Sequence, residues 1–112
     1  MAQSIAFDKT TGLRDFIDIN GIIKLCRKYR IKELSLFGSV LRDDFDYSKS
    51  DVDVLVEYLP DSPIKGLFDI IEVKFAFEDL FGREVDLVEK RALKPYIKDE
   101  ILRSRRIIYV KA

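Results

Sequence analysis

Asp51 and Asp53 stand two residues apart in the run Asp51-Val-Asp-Val-Leu-Val56, and Asp86 interrupts a second apolar run, Glu84-Val-Asp-Leu-Val88. Both runs are short and rich in β-branched residues, so each reads as a strand. Successive side chains of a strand point to opposite faces. Asp51, Asp53 and Leu55 therefore share one face, Val52, Val54 and Val56 the other, and Asp86 opposes Val85 and Leu87. Two carboxylates in that relation have Cα atoms roughly 6 to 7 Å apart, a spacing that lets them clamp one or two divalent ions. Grouping like charges on a half-buried strand is unfavourable unless a cation compensates, because each carboxylate loses hydration and repels its neighbour. Asp86 becomes a third ligand if its strand pairs beside the first.

Three aspartates without histidine or cysteine suit Mg²⁺, which favours oxygen ligands and leaves positions for water and substrate phosphates. In a two-metal site one ion acidifies an attacking hydroxyl while the other neutralises phosphate charge and a pyrophosphate leaving group. Those roles fall jointly to Asp51, Asp53 and Asp86. The chain contains no histidine, which excludes Ser-His-Asp and Cys-His nucleophilic chemistry and most catalytic zinc sites. Carboxylates must carry any reaction.

A second feature precedes the first aspartate pair. The apolar segment Glu33-Leu-Ser-Leu-Phe37 runs directly into Gly38-Ser39, a strand ending in a tight turn. Glycine leaves the backbone N–H groups of such a turn unobstructed, and serine adds a hydroxyl donor, a combination suited to a triphosphate oxygen. The dipeptide alone carries little weight. Its position carries more: Gly-Ser after a strand, eleven residues, then Asp-Val-Asp opening another strand.

That arrangement resembles the minimal nucleotidyltransferases of the DNA polymerase beta-like superfamily, whose signature is Gly-Ser, a short spacer and Asp-x-Asp. The likeness rests on Leu36-Phe-Gly-Ser-Val-Leu-Arg-Asp-Asp-Phe45 and Ser50-Asp-Val-Asp-Val-Leu-Val56. It continues through Gly82-Arg-Glu-Val-Asp-Leu-Val88 and Leu93-Lys-Pro-Tyr-Ile-Lys-Asp-Glu-Ile101, covering nearly the whole chain. The spacer is slightly longer than in close relatives, through Asp46-Tyr-Ser-Lys-Ser50. The resemblance implies that Gly38 and Ser39 bind the triphosphate, that Asp51, Asp53 and Asp86 hold Mg²⁺, and that Arg42 contacts phosphate. It also implies ATP as donor of AMP and, as partner, an all-helical HEPN-domain protein. In such a pair the chain is the antitoxin of a toxin-antitoxin system, and a tyrosine hydroxyl of the partner is the acceptor.

The elements that must position these residues follow from periodicity and breakers. Ile19, Ile22, Ile23, Cys26 and Tyr29 recur at helical spacing, with Asn20 or Asp18 as cap. Leu59-Pro-Asp-Ser-Pro63 is a break, and Gly66 to Leu80 reads as a second helix, with Phe68, Phe75, Phe77 and Phe81 expected mostly in the core or against another subunit. Gly82 closes that helix. Leu93 to Arg103 reads as a last helix with Pro95 in its first turn, and Arg106-Ile-Ile-Tyr-Val110 as an extension or a short edge strand. The sum is an α/β fold, a small mixed β-sheet with helices on one side and the acidic residues on the other, as in the nucleotidyltransferase fold.

At 112 residues the chain is expected to form a single domain, residues 1–112, with its acceptor supplied by a partner. No apolar stretch approaches the roughly 20 residues of a membrane helix, and MAQSIAFDKT lacks the pattern of a secretory signal. A soluble, cytoplasmic protein is the expectation. Cys26 falls in an apolar-periodic stretch and reads as a small buried thiol. Twenty basic and twenty acidic side chains cancel, which removes any global electrostatic drive toward nucleic acid. Asp43, Asp44 and Asp46 read as a solvated loop, and Lys94, Lys98, Arg103, Arg105, Arg106 and Lys111 as the wet face of the last helix and its extension. Two other roles share the same residues: a catalytically silent module that masks its partner by binding, and transfer to a small molecule, for which the chain leaves little room. Homodimerisation stays open.

Overall fold

The computed structural model describes residues 18–38 and 51–111. Chain order is helix α1 (Ile19–Lys28), strand β1 (Ile31–Phe37), strand β2 (Val52–Tyr58), helix α2 (Leu67–Phe81), strand β3 (Val85–Glu89), a 3₁₀ turn (Lys90–Ala92), helix α3 (Pro95–Ser104) and strand β4 (Arg106–Val110). The strands form one sheet in the order β3-β2-β1-β4. β1 is antiparallel to β2 and to β4, whereas β2 and β3 are parallel. A parallel pair needs a crossover connection, which α2 supplies. This is the expected small mixed sheet, and the closing segment Arg106–Val110 is its edge strand rather than a helical extension.

The core lies between one face of the sheet and two helices. Ile22, Cys26 and Tyr29 from α1 and its C-cap, and Val73, Phe77 and Phe81 from α2, pack on Leu34, Leu36, Val52, Val54, Val56 and Val85. Cys26 is a fully buried free thiol, and burial pushes its pKa well above the ordinary range, so it is inert. Asp18, one of the two expected caps, caps α1 by accepting from Gly21 N–H at 3.1 Å. A side chain at Gly21 would overlap Leu80, so the two helices pack with backbone close to side chain. Gly82 closes α2 in the left-handed conformation at φ 71°.

The apolar residues of α2 divide differently from the expectation. Phe77 and Phe81 are buried, but Leu67, Phe68 and Phe75 are 68%, 86% and 60% exposed. The helix is apolar nearly all round, so periodicity alone cannot choose its inner face. The sheet selects Val73 and Phe77.

The opposite sheet face carries an ion network in place of a second apolar layer. Glu33 Oε2 accepts from Arg105 Nε at 2.7 Å and from Ser35 Oγ at 3.1 Å. Lys90 bridges Glu33 at 3.9 Å and Glu57 at 3.2 Å. Arg105 is therefore turned inward, with a side chain only 18% exposed, and not part of a wet face. α3 itself buries no residue.

Candidate functional site

Asp53 is the Cα partner of Asp86 in the parallel β2–β3 ladder and of Phe37 in the antiparallel β1–β2 ladder. Neighbouring strands are roughly 4.8 Å apart, so the two aspartates start side by side from adjacent backbones. The alternation explains their direction. Val52, Val54 and Val85 are buried under the helices, which sends Asp53 and Asp86 to the other face. Asp53 is half-buried and Asp86 exposed; Asp51 is exposed and lies one residue before β2 begins. The hydrogen bond from Val52 N–H to Glu84 O, 3.0 Å, locks this end of the ladder.

Gly38 ends β1 at φ 73°, a conformation that favours glycine. A Cβ there would overlap Asp53 Oδ2. Glycine is thus required twice at this position, for its dihedral and for the approach of its backbone to a carboxylate. The turn and Asp53 form one local unit. Ser39 and Arg42 lie outside the described residues, as do Asp43, Asp44 and Asp46.

The oxygen-only donor set and the Asp53–Asp86 register fit a hard divalent cation, and Mg²⁺ requires only one or two protein carboxylates. Among the described residues no group of three or more His, Cys, Asp or Glu side chains is gathered closely enough to hold an ion. The backbone brings Asp53 and Asp86 into adjacency, with Asp51 one residue before the start of β2.

Two further residues support this end of the sheet. Glu78 on α2 accepts from Val85 N–H at 3.0 Å and from Lys74 Nζ at 2.5 Å. It ties the helix to the residue immediately before Asp86. Its carboxyl is held below the usual range, first by the Lys74 hydrogen bond and then by the Val85 N–H. The Lys74 ammonium is raised chiefly by the Glu78 hydrogen bond, against opposing burial, with the charges of Glu78, Glu84 and Asp51 adding to it. A cation thus stands within electrostatic reach of Asp51. The only local trace of this pair is its Lys-x-x-x-Glu spacing, common on exposed helices.

Residues 20–108 match the family model described as "Nucleotidyltransferase domain". The chain is 36% identical, over 72% of its length and 83% of the relative's, to "Putative protein adenylyltransferase MJ0435" of Methanocaldococcus jannaschii. It superposes on a solved structure described as a "putative minimal nucleotidyltransferase" with TM-score 0.66 and 30% identity, covering 90% of this chain and 95% of that one. A second solved structure, tri-AMPylated Shewanella oneidensis HEPN toxin in complex with MNT antitoxin, matches with TM-score 0.59 and 22% identity over 83% of this chain and 70% of that one. With a parallel strand pair presenting Asp53 beside Asp86 and a glycine turn pressed on the first of them, the chain belongs to the nucleotidyltransferase domain family, among its minimal members, and is a transferase.

Proposed function

We propose that this protein transfers AMP from ATP to a hydroxyl of a HEPN-domain partner protein and acts as the antitoxin of that pair. The observation that carries the reading is the Asp53–Asp86 register with Gly38 packed on Asp53. Support for protein adenylylation comes from the names of its relatives and from the HEPN complex among its structural neighbours.

In this reading Asp53 and Asp86, with Asp51, hold Mg²⁺, which neutralises triphosphate charge and activates the acceptor hydroxyl. The backbone at Gly38, with Ser39 and Arg42, positions the triphosphate. Lys74 adds positive potential near Asp51. The chain offers no second domain for an acceptor among its described residues, and α2 presents exposed Leu67, Phe68 and Phe75 to a partner. No helix among the described residues is long and apolar enough to cross a membrane.

The test is incubation of the full chain with ATP labelled on the α-phosphate, Mg²⁺ and a HEPN-domain protein from the same organism. Label should appear on the partner and be lost with Asp51→Ala/Asp53→Ala. No transfer by the wild-type chain, or equal transfer by the variant, removes the enzymatic reading. If that variant still neutralises the partner in cells, the chain acts by binding alone.

A further inference from the structure

A cavity of about 540 Å³ opens at the far end of the sheet from the aspartates, between the C-terminal ends of β2 and β3, the loop after β2 and α3. Tyr58 lies five residues along β2 from Asp53, so the two places are roughly 16 Å apart. The volume falls in the range of small-molecule sites, roughly 300 to 1,000 Å³.

Its walls combine apolar and cationic groups. Tyr58, Leu59, Pro60 and Ile64 supply the apolar part, and Lys65 and Lys98 also line the cavity. The charges do not balance. Lys90 is paired with Glu57 and Glu33, and Arg91 with Glu89, so those carboxylates are already matched. Lys65 and Lys98 form no ion pair among the described residues. Two lysines without an ion pair among the described residues therefore line a partly apolar space, the complement of a dianion carrying a ring.

We propose that this cavity is a second ligand site, separate from the aspartate site, for a small phosphate monoester of about the size of a nucleoside monophosphate. Lys65 and Lys98 bind the phosphate, and Tyr58, Leu59, Pro60 and Ile64 enclose the attached ring. The site needs no divalent ion, because its own lysines supply the charge. It is also independent of the aspartates, since it shares no residue with them.

The test is calorimetric titration of the full chain with AMP in the presence of EDTA, with inorganic phosphate and adenosine as separate probes. AMP should bind, Asp53→Asn/Asp86→Asn should leave that binding unchanged, and Lys65→Ala/Lys98→Ala should weaken it by about tenfold or more, with affinity falling as salt rises. Phosphate and adenosine should each bind more weakly than AMP. Circular dichroism and thermal melting of the lysine variant should match wild type, since both side chains belong to exposed residues. No AMP binding by wild type, binding indifferent to the lysines, or binding lost only with the aspartates would overturn the proposal.

Discussion

Asp53 and Asp86 are direct partners across the parallel β2–β3 ladder. In a sheet, like charges directly opposite are destabilising, and the cost is relieved when a cation binds between them or one charge is removed. The adjacency therefore has a consequence for stability as well as for catalysis.

Without divalent ions, Asp86→Asn should raise the melting temperature slightly; in excess Mg²⁺ with nucleotide it should lose the ligand-induced rise that wild type shows, because binding to the native state stabilises it. AMP transfer should fall by about two to three orders of magnitude for a lost metal ligand. Thermal melts with EDTA and with Mg²⁺ plus a non-hydrolysable ATP analogue measure the first two effects. An unchanged ligand response in Asp86→Asn would remove Asp86 from the site.

Gly38→Ala should be costly out of proportion to its size. The new Cβ must escape both a φ of 73° and overlap with Asp53 Oδ2. A loss of about 2 kcal/mol or more is expected in denaturant unfolding, together with loss of transfer. Alanine at Gly66, where a Cβ would meet nothing within 4 Å, is the contrasting control.

Acid should weaken the protein through Glu33. Burial pushes this carboxyl up, but the Arg105 hydrogen bond and charge, Lys90 and the Ser35 hydroxyl together hold it below its ordinary value. A carboxyl depressed in the folded state contributes stability fully above its unfolded pKa, and that contribution is lost as pH falls through the folded value. Stability should therefore drop on acidification from near the ordinary glutamate value of 4.5 downward. Glu33→Gln should flatten that limb in a series of urea melts at different pH, at the cost of lower stability at neutral pH. A variant with an unaltered acid limb would show that the network does not control it.

The two sides of α2 should respond oppositely to truncation. Phe77→Ala empties a fully buried position and should cost about 3 to 5 kcal/mol. Phe68→Ser removes an 86% exposed ring and should change the stability of the isolated chain by no more than about 0.5 kcal/mol. Chemical denaturation of both variants checks this. A large loss from Phe68→Ser would mean that the chain buries that face in its own assembly.

Much of this architecture could be read along the chain. Alternation in Val52–Val56 and Val85–Leu87 assigned Asp53 and Asp86 to the face away from the helices, and the structure agrees; Asp51 lies just outside the strand. Leu59-Pro-Asp-Ser-Pro63, Gly82 and Pro95 marked element ends because they constrain backbone locally. The aromatic residues of α2 were less legible. A helix with apolar residues on nearly every side carries no local record of which side meets the sheet; Phe68 and Phe75, expected in the core or against another subunit, lie outside this chain's core. Arg105 looked solvated for a similar reason: its counter-charge, Glu33, is distant in sequence and adjacent only through the β1–β4 pairing.

The sequence by itself determined the residue chemistry: the acidic trio Asp51, Asp53 and Asp86 with no histidine, a glycine where a strand must turn, and the side of its strand on which Asp53 and Asp86 each emerge. Those properties depend on side-chain type and on a two-residue repeat, both local. Tertiary structure alone decided that β3 adds to β2 rather than to β1, setting Asp86 beside Asp53. It also brought Gly38 against Asp53, chose the inner face of α2, and left two lysines that make no ion pair among the described residues around a cavity remote from the aspartates. Pairing and packing are contacts between segments far apart in the chain, and they are selected by the burial of the whole core rather than by any one segment's pattern.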